Sequence, residues 1–152
     1  MPEPSGSALA APRIVVAFDF GLRRIGVASG NTLTRSATPL SVILASGGSP
    51  RWEDLDKLLA ELKPALAVVG LPYNADGSES STATAARRFA AELARRYGLE
   101  IALVDERYSS REAEARLKTA RQSGRMRRRV AKADVDAAAA CVILDRWLGD
   151  EK

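Results

Sequence analysis

The pattern of apolar positions along Arg13–Gly30, RIVVAFDFGLRRIGVASG, reads as a buried strand, a tight turn and a second strand. Strand side chains alternate between two faces. On that period Ile14, Val16, Phe18 and Phe20 share one face, and Val15, Ala17 and Asp19 share the other. Both faces are apolar, which predicts a central strand covered on both sides. Gly21-Leu22-Arg23-Arg24 is short enough to force an antiparallel return through Ile25–Ser29. Arg35–Leu44, with Leu40, Val42 and Leu44 alternating, reads as a third strand. Ser49 as cap and Pro50 as first helical residue open a helix over Arg51–Lys63, where Trp52, Leu55, Leu58, Leu59 and Leu62 recur at helical spacing and Pro64 stops the run. Ala65–Gly70 is wholly apolar, as a buried parallel strand would be. After a loop over Leu71–Gly77, Ser80–Tyr97 predicts a second helix ended by Gly98, and Glu100–Asp105 another strand. Ser109-Ser110-Arg111-Glu112 is a capping box opening a helix over Ser110–Thr119, and Asp134 is placed to cap a last helix over Val135–Leu148.

Strands first, then helix and strand in alternation, predict an α/β fold: a central mixed five-stranded sheet flanked by helices, its first strands antiparallel and its last two parallel. The predicted organisation is a disordered leader over 1–12, one domain over 13–149 and a short tail over 150–152, with no internal repeat. The leader lacks the basic start and long apolar core of a signal peptide. No apolar run approaches the roughly 18 residues that a membrane span needs, so no membrane partner is expected. The one cysteine, Cys141, excludes an intrachain disulfide and fits a reducing, cytoplasmic setting; inside the apolar run Ala137–Leu144 it reads as a buried structural thiol.

Two features of composition narrow the chemistry. Histidine is absent, which removes Ser-His-Asp and Cys-His catalysis and every zinc site that uses an imidazole. The net charge of +4 is also unevenly spread. Lys118–Lys132, KTARQSGRMRRRVAK, carries seven basic residues and no acid, so the rest of the chain is net acidic. One concentrated basic segment on an acidic body points to a polyanionic partner, with a solvated basic loop as the plainer reading.

Three acids sit where an acid is costly. Asp19 ends the buried first strand. Glu106 follows the strand Ile101–Val104 at its C-terminal end, where ligand sites of open α/β sheets gather. Ala140, Ile143 and Trp147 fall within about 40° of Asp136 at helical spacing, which puts it on the side that should meet the sheet. Three acids at one sheet edge repel unless protonated or neutralised. A hard cation with oxygen ligands, Mg²⁺ or Mn²⁺, answers that need. Two such ions would activate a water and stabilise the leaving oxygen of a phosphodiester displacement. Other readings stand beside this one. Asp19 can close a turn on backbone N–H groups, Glu106 can pair with Arg107 or Arg111, and Asp136 can simply favour the helix dipole. Asp105 alternates to the face opposite Glu106, and Asp134 competes as a neighbour of Asp136.

These residues resemble the YqgF (RuvX) family of RNase H-like nucleases, described both as Holliday junction resolvases and as nucleases that mature the 16S ribosomal RNA precursor. The resemblance rests on AFDFGLRRIGVA at Ala17–Ala28, VVGLPYNADGSES at Val68–Ser80, FAAEL at Phe89–Leu93, VDERYSSREAEARL at Val104–Leu117 and KADVDAAAACVILDRWL at Lys132–Leu148. DxG alone is weak; followed by GLPxxxDG, DER and VDxxAA in this order, it is strong. The resemblance implies an RNase H-like fold and a catalytic, metal-holding trio of Asp19, Glu106 and Asp136. It also matches the family's loop at Gly70, Leu71, Pro72, Asn74 and Gly77, and its arginine at Arg107. Ser109-Ser110 stands where a threonine is expected, and Gly30-Asn31 offers no accessory acid.

On this reading Arg23, Arg24, Asn74 and Arg107 meet phosphates near the reacting bond, and Arg125, Arg127, Arg128, Arg129 and Lys132 track the backbone of a structured nucleic acid, either precursor rRNA or branched DNA. A monomer or a homodimer suits the first, and a two-fold dimer suits a symmetric junction. Two rivals remain. A nucleic-acid-binding module without catalysis needs the basic segment but not the acids. An actin-like phosphotransferase, suggested by DFGxxxxG, needs two related domains, for which 152 residues are too few. Backbone tracking is salt-sensitive and largely independent of sequence. Replacing Arg127, Arg128 and Arg129 by alanine therefore weakens nucleic-acid binding and flattens the slope of log affinity against log salt. An unchanged slope in a filter-binding titration removes that role from the segment.

Overall fold

The computed structural model describes residues 13–72, 80–105 and 132–150, with positions 132–134 and 150 as backbone alone. In chain order the elements are β1 (Ile14–Asp19), β2 (Arg24–Asn31), β3 (Ser36–Ser46), β4 (Ser49–Pro50), α1 (Trp52–Leu62), β5 (Leu66–Leu71), α2 (Ser81–Tyr97), β6 (Glu100–Asp105) and α3 (Lys132–Asp150). Among the described residues they form a six-stranded sheet in the order β4-β3-β2-β1-β5-β6. Pairing is antiparallel from β4 to β1 and parallel from β1 to β6. The expected mixed α/β sheet is therefore present, and its sixth strand is the two-residue β4.

β1 lies inside the sheet and divides the core. Val16, Phe18 and Phe20 pack on one side with Ile25, Val27, Leu55, Leu59, Phe89 and Leu93, under α1 and α2. Val15 and Ala17 pack on the other with Ala28, Val68, Ala140, Ile143 and Leu144, under α3. The alternation of one strand thus separates an aromatic layer from an aliphatic, small-residue layer. In the aromatic layer the ring of Phe89 stands edge-on to Phe18 at 5.3 Å between centroids, and Trp52 is capped by the Arg96 guanidinium 4.0 Å from its ring centre. Cys141 is buried in the α3 layer, as its apolar context implies.

Two local expectations fail for physical reasons, and one is met with a change of phase. The strand expected over Arg35–Leu44 is present as β3, but Leu40 and Leu44 are exposed and Ile43 is the buried residue. A bulge between Val27 and Ala28 lets two β3 intervals face one of β2, so Leu40 is the extra residue and the alternation changes phase there. Ser49 and Pro50 do not open α1. They pair with Ser46 and Ala45 across a Gly47-Gly48 turn whose residues have φ of 58° and 88°, and Arg51 is the N-cap without a side-chain cap bond. Asp134 does not cap the last helix, because α3 already begins at Lys132 and places Asp134 inside it.

Where the cap chemistry is unambiguous the ends match. Ser80 Oγ accepts from the Ala83 N–H at 3.0 Å and donates to the Pro72 carbonyl at 2.8 Å, while Gly98 closes α2 in the left-handed region at φ 65°. The helix predicted over Ser110–Thr119 and the 1–12 leader lie outside the described residues. Ser80→Ala is expected to lower unfolding free energy by about 1–2 kcal/mol, the usual value of an N-cap, and Ser49→Ala to change it by less than about 0.5 kcal/mol. Urea unfolding of both variants checks the assignment.

Candidate active site

Asp19 is the last residue of β1 and belongs to its α3-facing set. Its partners on either side in the sheet are Gly26 of β2 and Gly70 of β5, so no side chain flanks its carboxyl group along the row. The row continues through Val104 of β6, which also faces α3. Asp105, one residue on, therefore falls on the opposite face, as its alternation predicts. The carbonyl of Asp105 accepts from Arg146 Nη1 at 3.0 Å, which ties the end of β6 to α3.

Gly26 also determines where Asp136 lies. A Cβ on Gly26 would stand 1.9 Å from the Asp136 carbonyl oxygen and 2.4 Å from its carbon. The backbone of α3 thus rests directly on β2 beside Asp19, at a spacing only glycine permits. Two positions along the same face, past Ala28, a Cβ on Gly30 would meet the Leu144 side chain at 2.9 Å, so α3 is seated low along the strand. The stripe predicted from helical spacing is present: Ala140 and Ile143 are fully buried, and Trp147 packs at the edge of the same cluster. Asp136 stands at the sheet-facing end of that stripe with its side chain 15% exposed.

Arg24 begins β2, on the same face as Gly26 two residues later. Its Nε lies 3.2 Å from Asp136 Oδ2, and its side chain is 42% exposed. Nevertheless Asp136 Oδ2 is buried and accepts no hydrogen bond. The two observations agree if the guanidinium is near enough for charge attraction but its N–H does not point at the oxygen. A buried carboxylate oxygen with an unfilled acceptor position, on a helix resting on the sheet partner of Asp19, is the kind of donor that a hard divalent cation takes. The residues present fit such an ion.

Arg23 lies exposed in the β1–β2 turn, whose position is held by bonds from the Ala45 and Gly48 N–H groups to the Arg23 and Leu22 carbonyls. Glu106, Arg107, Asn74, Arg125, Arg127, Arg128 and Arg129 lie outside the described residues, and Lys132 is described only as the first backbone position of α3. Among the described residues no group of three metal-ligating side chains occurs. Two cavities of about 300 Å³ each lie elsewhere, one beside Trp52 and Arg88 and one beside Asp56 and Tyr97, on the α1 and α2 side. Sequence reasoning missed the Arg24–Asp136 pair and the role of Gly26. The glycine left a signal: an interior glycine between Ile25 and Val27 of a strand marks a close backbone approach.

A profile of the family described as "RuvX: Holliday junction resolvase" matches residues 13–150. The chain belongs to the RuvX family. Two curated relatives, each named "Putative pre-16S rRNA nuclease", come from Edwardsiella ictaluri and Legionella pneumophila. The first is 47% identical over 92% of this chain and 97% of its own length, and the second is 47% identical over 89% and 94%. Among solved structures, Thermus thermophilus RuvC superposes with a TM-score of 0.51 at 15% identity, over 90% of this chain and 96% of RuvC. That likeness shows the fold, the RNase H-like α/β arrangement expected from the motifs. RuvX membership makes the chain a nuclease, and its carboxyl corner at Asp19 and Asp136 lies within the matched span.

The seating of α3 has a direct test. Gly26→Ala forces the Asp136 backbone away from the sheet and is expected to cost about 2–4 kcal/mol of stability, the scale of overpacking in a close-packed core. Gly98→Ala, at an open left-handed position with nothing near its Cβ, is expected to cost about 1 kcal/mol. Equal losses in urea unfolding would remove the steric argument.

Proposed function

We propose that this RuvX chain is a metal-dependent endonuclease of structured nucleic acid that processes the 5′ end of the 16S rRNA precursor. The observation that supports the reading is that Gly26, the sheet partner of Asp19 at the C-terminal end of a buried strand, is also where the Asp136 backbone of α3 rests. Ribosomal RNA is favoured over a four-way junction because the curated relatives carry that activity in their names. Holliday junction resolution, the description attached to the family profile, is the second reading.

In this proposal Asp19, Asp136 and Glu106 hold Mg²⁺ or Mn²⁺. Asp19 and Asp136 arrive on rigid elements, a central strand and a packed helix, so their carboxyl groups are positioned before any ligand binds. Glu106 stands two residues beyond Val104, the α3-facing residue in the row of Asp19. When bound, the cation would supply an activated water and neutralise charge on the leaving oxygen. Arg23 and Arg107 meet phosphates, and the basic residues from Arg125 to Lys132 hold the flanking backbone. Among the described residues no helix is long and apolar enough to cross a membrane. The reading takes the chain as a cytoplasmic ribosome-assembly factor acting as a monomer or a homodimer.

The test compares wild type, Asp19→Asn and Asp136→Asn on a labelled 16S precursor leader and a labelled four-way junction, with Mg²⁺ or Mn²⁺. The expected result is metal-dependent cleavage of the leader that falls at least about 100-fold in either variant. Preferential cutting of the junction exchanges the two substrates. Equal cutting by wild type and variants removes the carboxylate mechanism.

A further inference from the structure

We infer that Arg24 is a latch on the candidate metal site: it neutralises Asp136 in the metal-free protein and must release that carboxylate before a divalent cation can take it. The inference rests on the metal-holding reading of Asp19 and Asp136 and assigns to Arg24 a role different from permanent phosphate steering.

Three observations carry it. The guanidinium Nε is 3.2 Å from Asp136 Oδ2, so the two charges are in direct reach. The same oxygen is buried and accepts no hydrogen bond, so the contact is charge attraction without the directional bond that would lock it. The two side chains also differ in access, Arg24 being 42% exposed and Asp136 15%. The arginine can therefore swing into water at little cost, while the aspartate, on a helix seated against Gly26, cannot.

The competition follows from size and charge. A hard divalent cation draws carboxylate oxygens to about 2.1–2.5 Å and repels a guanidinium held against the same group. One buried oxygen cannot satisfy both. Without either cation, Asp136 would be a poorly solvated charge beside Asp19, which is costly. Arg24 thus stabilises the empty corner and opposes its filling. Once released, its planar fork faces solvent on the α3 side, where a substrate phosphate can take it up. Cation and polyanion then each acquire a partner in the same movement. Arg24 is a positioning residue, acting on the metal through Asp136.

The experiment is a Mn²⁺ titration of the full chain, read by calorimetry and by the free Mn²⁺ resonance signal, for wild type, Arg24→Gln, Arg24→Lys and Arg23→Gln. Arg24→Gln is expected to bind Mn²⁺ roughly three- to tenfold more tightly than wild type, the scale of a partly buried ion pair removed from the competition. Its metal-free melting temperature is expected to fall, and Mn²⁺ is expected to raise it by more than in wild type. Arg24→Lys, which keeps the charge, should lie between the two. Arg23→Gln removes the same charge from the adjacent residue and should change the affinity by less than about twofold. Equal or weaker Mn²⁺ binding by Arg24→Gln overturns the latch while leaving the metal site standing, and so does equal tightening by Arg23→Gln. Absence of saturable Mn²⁺ binding in wild type overturns the metal reading and the latch with it.

Discussion

The contact on which the site depends is that of the Asp136 backbone with Gly26. Helices ordinarily ride over a sheet on the side chains of both partners. Here the missing Cβ lets α3 settle until its main chain touches the strand, with a Cβ-to-carbonyl spacing of 1.9 Å that no other residue could occupy unmoved. The run Ala137–Ala140 on the helix gives the complementary half of the fit, since small side chains add little thickness. Gly26 is at the same time the sheet partner of Asp19. One glycine therefore sets the spacing of helix and sheet at the strand position paired with Asp19.

That arrangement was partly legible in the sequence. β1, β5 and α2 could be read because each carries a strong signal: alternation on two apolar faces, an unbroken apolar run, and a serine cap with a glycine stop. Asp19 stood out as an acid on a buried strand, and Asp136 as an acid on a stripe of Ala140, Ile143 and Trp147. β3 was legible as a strand, but its buried position was not, since a bulge at Leu40 shifts the phase of the alternation and depends on the register with β2. Ser49-Pro50 carries two meanings, a helix start and the far side of a tight hairpin. The pair of positive-φ glycines before it decides for the hairpin. The Arg24–Asp136 pair was beyond reach because the two residues are more than a hundred positions apart and meet only when α3 docks.

The two faces of the sheet are built from different materials. The α1 and α2 face is aromatic, with Phe18, Phe20, Phe89 and Trp52 in ring contact. Large rings fill volume and separate backbones, which suits a supporting layer. The α3 face is mainly aliphatic, with alanines and the glycines Gly26 and Gly30 where α3 crosses β2, and there the backbones approach closely. Carboxyl groups placed on the first face would be pushed outward by the bulk beside them. On the second they are carried by main chains that the close fit holds still. Preorganised charge is most effective where the carrier cannot relax. The two candidate acids, Asp19 and Asp136, lie on the α3 side of the sheet, away from the aromatic layer.

Charge follows the same partition. At the α3 corner, two carboxyl groups stand against one guanidinium whose contact lacks a hydrogen bond, leaving a site that attracts cations and holds none of its own firmly. The basic excess of the sequence is concentrated instead in Lys118–Lys132, immediately before and into the start of α3. A basic run of this density suits a phosphate backbone, whereas a carboxylate with an unfilled acceptor suits a hard cation. Among the described residues Arg24 is the cation that reaches Asp136, and its exposure lets it change partner. A single polypeptide can in this way keep opposite charges separate until a substrate that carries both phosphate and metal brings them into one reaction.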